Sequence, residues 1–269
     1  MQSLALSLQR IRSLGSDDGG DHDIKHDDDE GVNRLHGFVR ADMYKDALRG
    51  TVRPYQQHVF LCFGDPGNWP PIIETSSSPT LDLPRLLAAS LKANKDRLPK
   101  KTLFNVCQGS AGDIEALKGD VLVFPSMIKF KDFGCHDING FVAKVLTLEE
   151  DWQQARVEQL DGYHIFVCAH GSRDMRCGVC GPALIQRFEK EIGFRGLDST
   201  VHVRACSHVG GHKFAGNVLI YGKDSKGKFR GHWYGYVNPS DVAVLLDEHI
   251  KKDQVLYGLW RGEMSCAEQ

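Results

Sequence analysis

The side chains best suited to chemistry are concentrated between residues 168 and 212. CAHGSRDMRCGVC carries Cys168, Cys177 and Cys180, and CSHVGGH carries Cys206, His208 and His212. Cys168 and Cys177 flank a Gly/Ser/Arg/Asp loop that can fold back and bring both sulfurs together. His208 and His212 stand four apart, and Gly210 and Gly211 between them allow the backbone a tight turn. Two thiolates and two imidazoles suit a four-coordinate zinc or a 2Fe–2S cluster with mixed ligands. The Cys168/Cys177 pair lacks the close spacing of a zinc finger, and an HxxxH spacing alone is common. The specificity lies in having both pairs at corresponding strand ends. A different chemistry competes for Cys177: Cys177-Gly-Val-Cys180 is a CxxC at a helix start, where the dipole favours a thiolate. A dithiol oxidoreductase with Cys177 as nucleophile would use it, but would leave Cys168 and the histidines unexplained. A structural Cys2His2 zinc domain used for protein binding is the third possibility.

The elements that must position these residues repeat. HVFLCFGDP (58–66) reads like HIFVCAHGS (164–172), TLFNVC (102–107) like VHVRAC (201–206), and GDVLVFP (119–125) like GNVLIYG (216–222). Each set runs in the same order of strand, helix, strand, loop and strand, as two related units would. DLPRLLAASLKAN (82–94) predicts a helix with Leu83, Leu86, Leu87 and Leu91 on one face, and GPALIQRFEKEIG (181–193) a second with Pro182 at its start. Thr147 and Glu150 form a capping-box signature for a connecting helix through about Leu160. DSKG (224–227) turns a strand into FRGHWYGYV (229–237), and Asn238-Pro239 opens a last helix through Lys251.

That order predicts an α/β protein of two tandem thioredoxin-like domains. The expected division is a flexible acidic segment over 1–49, a degenerate thioredoxin-like domain over 50–146, a connecting helix over 147–160, a second domain over 161–262, and a tail over 263–269. In the first unit Cys62, Cys107 and Cys135 have no histidine pair at the equivalent loop, QGSAG (108–112), so that unit is expected to hold no cluster and to act as scaffold or docking surface.

Around the proposed centre, Arg173, Arg176 and Lys213 are placed to stabilise thiolates or attract an acidic redox partner. His170 is read as a residue at the cluster edge or a solvent-facing loop histidine, Asn217 as a side chain holding the loop, and Cys206 as a buried strand-end residue like Cys107. Trp233 and Tyr234 should pack on the sheet, and Trp260 should join the core or gate access near the cluster.

The 269 residues are 41% hydrophobic and 25% charged, which excludes a wholly disordered chain. No apolar run approaches the ~20 residues of a membrane helix. The net charge of −2 includes a balance of −5 within residues 1–31, leaving +3 for the rest, too weak a surplus to argue for nucleic acid. Eight cysteines without a secretory signal point to metal or redox use rather than structural bridges. HDIKHDDDE (22–30) reads as a solvated acidic linker. Arg10 and Arg12 among serines and leucines, with no acid before Asp17, fit a frayed helix or a short mitochondrial transit peptide, so the expected location is cytoplasmic, with mitochondrial as the alternative. No Gly-rich dinucleotide fingerprint follows any strand, so an external reductase and redox partner proteins are expected.

HIFVCAHGSRDMRCGVCGP, RACSHVGGHKFAGNVLIYG, HWYGYVNPSDV and the final GLWRG resemble the sucrase/ferredoxin-like proteins. The second half also resembles thioredoxin-like 2Fe–2S ferredoxins, in which a Cys-x-x-x-Cys stands where this chain has His208-x-x-x-His212. The resemblance spans about residues 50–262 and implies one 2Fe–2S cluster held by Cys168, Cys177, His208 and His212, both cysteines on one iron and both histidines on the other. It implies an electron carrier or redox sensor rather than an enzyme, with no catalytic residue assigned. No carboxylate pair in a glycosidase-like setting accompanies it, so sugar hydrolysis is rejected. Replacing two thiolates by neutral imidazoles removes negative charge and should raise the potential above that of an all-cysteine site. Proton loss from the free imidazole nitrogens should make that potential fall with rising pH in the alkaline range.

Overall fold

A computed structural model describes residues 36–110, 112–145 and 156–265. The fold is mixed α/β, built on one ten-stranded sheet ordered β10-β9-β8-β6-β7-β2-β1-β3-β4-β5. In the first half, β1 (Gln57–Cys62) pairs parallel with β2 (Thr102–Cys107) and antiparallel with β3 (Lys118–Phe124), which pairs with β4 (Ile128–Gly134). The second half repeats this wiring: β6 (Tyr163–Cys168) pairs parallel with β7 (Val201–Cys206) and antiparallel with β8 (Val218–Lys223), which pairs with β9 (Phe229–Tyr234). The repeat read in the sequence is therefore a repeat of strand connections. The halves join where β2 meets β7 antiparallel, with Cys107 opposite Cys206.

Side-chain alternation decides what each face covers. Val59, Leu61, Val121 and Val123 pack with Leu83, Leu87 and Leu91 of helix α1 (Asp82–Ala93). Ile165, Val167, Val218 and Ile220 join Leu184, Phe188 and Ile192 of helix α2 (Met175–Phe194) in the other cluster. The remaining faces turn toward each other. Phe60 stacks on Phe166 with centroids 3.8 Å apart, and Phe124 stacks on Tyr221 at 4.7 Å. Contacts this short between β1 and β6, which are separated by β2 and β7, require the sheet to fold over at the junction. Each half buries the other's inner face.

Several expectations need correction. Helix α2 starts at Met175, not at Pro182, because Asp174 caps it by accepting from the Arg176 N–H; Pro182 lies inside the helix. The connecting helix falls largely outside the described residues, as do Thr147 and Glu150. Its expected end, Val157–Gln159, is instead strand β5, paired antiparallel with β4 and tied by Lys129–Glu158 and Arg156–Asp137 ion pairs. The last helix begins at α3 (Pro239–Val244) with an Asn238/Asp241 capping box and widens into a π-helix over Leu245–Ile250. GLWRG adds strand β10 (Trp260–Glu263) to the edge of β9, and Met264 beyond it is buried. HDIKHDDDE lies outside the described residues. Within residues 36–49, which are mostly exposed, Phe38 is buried, Asp42 pairs with Arg176 and Asp46 with Lys213. No helix among the described residues is long and apolar enough to cross a membrane.

Candidate metal centre

Three of the four proposed ligands meet at one end of the second half. Cys168 is the last residue of β6, Cys177 the third residue of α2, and His208 lies two residues beyond β7. Their donor atoms all lie within 4.8 Å of one another. His208 Nδ1 is 4.0 Å from Cys168 Sγ and 3.9 Å from Cys177 Sγ. Cys168 and Cys177 are fully enclosed. His212 is outside this triad: it is half-exposed, its ring stacked at 5.5 Å from that of His208 and its Nδ1 3.7 Å from an Asp174 carboxylate oxygen.

The two buried thiols are shifted in opposite directions. The hydrogen bond from Cys177 pulls Cys168 well below the ordinary thiol range; burial opposes this, and His208 and the Val209 backbone N–H reinforce it. Cys177 is pushed up by its bond to Cys168, by burial and by the neighbouring negative charge. A soft metal would displace thiol protons on binding and hold both sulfurs as thiolates.

The loop bearing the imidazoles is held from several sides. The His208 N–H donates to His170 Nδ1 at 3.2 Å, while His170 Nε2 bonds the Pro70 carbonyl at 2.9 Å. His170 is therefore a Nε2–H tautomer, and it is buried rather than solvent-facing. Asn105 of the first half donates to Ser207 Oγ and to the carbonyls of Ser207 and His208. Behind Asn105 runs a buried chain of hydrogen bonds: His58 Nε2 meets Asn105 Oδ1 at 2.9 Å and its Nδ1 meets Tyr221 Oη at 2.8 Å, with Tyr55 and Trp233 beyond. Burial drives the His58 pKa down to about 3, so the imidazole is neutral and can accept on one side while donating on the other.

Gly210 and Gly211 have φ of +80° and +69°, the left-handed region that favours glycine. Gly211 has a second reason to be glycine, since a Cβ there would lie 2.4 Å from Arg261 Nη2. Arg261 is a buried cation; it donates to Asn217 Oδ1, and Asn217 Nδ2 donates to the Gly211 carbonyl at 3.1 Å. Asn217 thus holds the loop as expected. Burial lowers the Arg261 pKa to about 10 against the opposing field of Cys168 and Cys177, and it stays charged at neutral pH.

The expected cationic shell differs. Arg176 is engaged by Asp174 and Asp42, Lys213 by Asp46, and Arg173 is exposed, whereas the buried cation is Arg261, which sequence reasoning missed. Its only signal was its place in GLWRG. Trp233 and Tyr234 are buried on the sheet, Cys206 is buried at its strand end, and Trp260 donates to His232 Nδ1 at 3.1 Å. Cys180 is enclosed, with its thiol donating to the His36 carbonyl at 3.2 Å, and burial raises its pKa to about 11.

The sucrase/ferredoxin-like family signature matches residues 48–262. The chain belongs to that family. Among curated relatives, "Altered inheritance of mitochondria protein 32" of Debaryomyces hansenii is 43% identical over 100 residues, 37% of this chain and 35% of that protein. The protein of the same name from Meyerozyma guilliermondii is 38% identical over 155 residues, covering 50% and 54% of the two chains. The matched region thus spans about a third to a half of these relatives' length. "Actin patches distal protein 1" of Saccharomyces cerevisiae is 27% identical over 163 residues, 53% of this chain and 51% of that one. A solved thioredoxin-like [2Fe-2S] ferredoxin from Aquifex aeolicus aligns over 38% of this chain and 98% of its own, at 22% identity and a TM-score of 0.31.

Proposed function

We propose that this member of the family is an electron-transfer or redox-sensing protein carrying one 2Fe–2S cluster on Cys168, Cys177, His208 and His212. Its second half, 161–262, would then serve as a thioredoxin-like ferredoxin module. The observation that carries the proposal is the convergence of the enclosed Cys168 and Cys177 sulfurs with His208, whose Nδ1 lies within 4.0 Å of both. The donor set fits the group: two enclosed sulfurs that a metal would deprotonate, and two neighbouring imidazoles on a loop that Gly210 and Gly211 allow to turn. When bound, the cluster would supply a one-electron couple. Cys168 and Cys177 would anchor one side; His208, oriented by His170 and Asn105, and the half-exposed His212 would form the other. Arg261 would offset part of the thiolate charge. Electrons would come from an external reductase and pass to a protein partner.

One observation favours a second reading. Three donors within 4.8 Å of one another also suit a single zinc ion in a structural site. The dithiol reading has less support, because the bond to Cys168 and burial shift Cys177 up, burial shifts Cys180 up, and the Cys180 thiol donates to the His36 carbonyl. We place the protein in the cytoplasm or the mitochondrion; the relatives' names refer to mitochondrial inheritance.

Ligand exchange tests the proposal. His208→Cys replaces a neutral donor with an anionic one, so the reduction potential should fall while the visible cluster absorption persists in altered form. A wild-type chain that is colourless after anaerobic purification, or a potential unmoved by the exchange, would overturn it.

A further inference from the structure

Cys62 and Cys107, in the half that carries no histidine pair, form a second thiol site. They are the last residues of adjacent parallel strands and sit directly opposite each other. The Cys107 thiol donates to Cys62 Sγ across 3.4 Å. The same register continues across the junction, Cys107 opposite Cys206 and Cys206 opposite Cys168, so four cysteines form one row over β1, β2, β7 and β6. By the repeat, Cys62 corresponds to Cys168 and Cys107 to Cys206. In the second half Cys168 turns to Cys177 and His208; in the first half Cys107 and Cys62 hydrogen-bond to each other.

We propose that Cys62 and Cys107 are a reversible dithiol/disulfide pair, oxidised by low-molecular-weight disulfides. The geometry permits the bond. Adjacent strands are about 4.8 Å apart, within the Cα separation of disulfides. Bonding distance requires the sulfurs to close by only about 1.3 Å. Cys62 is the attacking sulfur: it accepts the Cys107 hydrogen bond and is 9% exposed, whereas Cys107 is fully enclosed. Burial pushes the Cys107 thiol up and keeps it protonated until the second step.

The electrons balance over two exchanges. The Cys62 thiolate attacks one sulfur of R–S–S–R, forming a mixed disulfide and releasing R–S⁻, which takes up the proton Cys62 gave up. Cys107 then loses its proton and attacks the Cys62 sulfur, forming Cys62–Cys107 and releasing the second R–S⁻, which that proton neutralises. The chain's two thiols lose two electrons and the small disulfide becomes two thiols.

This pair does not depend on the metal centre. The test equilibrates the full chain in graded mixtures of reduced and oxidised glutathione, quenches with acid, alkylates under denaturing conditions and maps the peptides by mass spectrometry. The wild type should yield a Cys62–Cys107 cross-linked peptide that dithiothreitol abolishes. A Cys168→Ser/Cys177→Ser chain should yield it too, separating this outcome from failure of the metal site. In Cys107→Ser, Cys62 should accumulate glutathione; in Cys62→Ser, Cys107 should remain a free thiol. Free, alkylated Cys62 and Cys107 in the most oxidising mixture would overturn the proposal in the wild type alone, whether or not the variants fold. Glutathione on Cys107 rather than Cys62 would overturn the assigned order of attack.

Discussion

Phe60 and Phe166 lie face to face with centroids 3.8 Å apart and planes within 4°. They occupy equivalent places in HVFLC and HIFVC, and the equivalent pairs Phe124/Tyr221 and Cys107/Cys206 also meet each other. Residues matched by the repeat thus meet each other across the junction. The stacking holds the folded sheet together, so the two phenylalanines should be energetically coupled. Phe60→Leu and Phe166→Leu should each cost about 1–3 kcal/mol, and a double-mutant cycle in urea should give a coupling of about 0.5–1.5 kcal/mol. Strict additivity would mean that the halves do not depend on this contact.

The repeat was legible because buried strands such as HVFLC and HIFVC are short apolar runs with matching ends. What joins the halves was not. Neither β2–β7 pairing nor the stacking of Phe60 on Phe166 leaves a local pattern, because both depend on residues more than 90 positions apart. That Cys168, Cys177 and His208 would converge was readable because Cys and His are few in kind and their loops are glycine-rich. Arg261, Asn105 and the buried role of His170 could not, because a cation or amide reaching the site from a distant strand has no spacing signature. Strand β5 was mistaken for helix because its residues, VEQ, carry no period and are stabilised by Lys129 and Lys131 from β4.

The two glycines of the histidine loop should respond differently to substitution. Gly210 has open space around its missing Cβ, whereas at Gly211 that atom would strike the Arg261 guanidinium. Gly210→Ala should cost only the left-handed strain, about 1 kcal/mol, and keep its metal. Gly211→Ala should cost about 2–3 kcal/mol and lose metal, because Arg261 and Asn217 must shift. Thermal unfolding and metal content of the two variants check the ordering.

Arg261 should tune the centre electrostatically. Removing its charge with Arg261→Gln makes the addition of an electron less favourable, so the reduction potential should fall. A potential measured by dye-coupled titration that stays at the wild-type value would remove Arg261 from this role.

Away from the site, Asp137 and Arg156 give stability a pH dependence. Burial alone would raise the Asp137 pKa, but hydrogen bonds from Arg156 and the Gly134 N–H hold it below the ordinary carboxylate range. Since the folded value lies below the unfolded one, the stabilisation is complete above about pH 4 and is lost as the pH falls through the folded value. Arg156→Gln should therefore cost about 2 kcal/mol at neutral pH, with the difference from wild type shrinking in acid. Equal differences at both ends of a pH series of urea melts would contradict this.

The most direct test of the account is the count of iron, acid-labile sulfide and zinc in the full chain purified without oxygen. About two irons and two sulfides per chain, lost together when Cys168 and Cys177 are replaced by serine, are the predicted result. One zinc per chain with neither iron nor sulfide, or a chain free of all three, would contradict it.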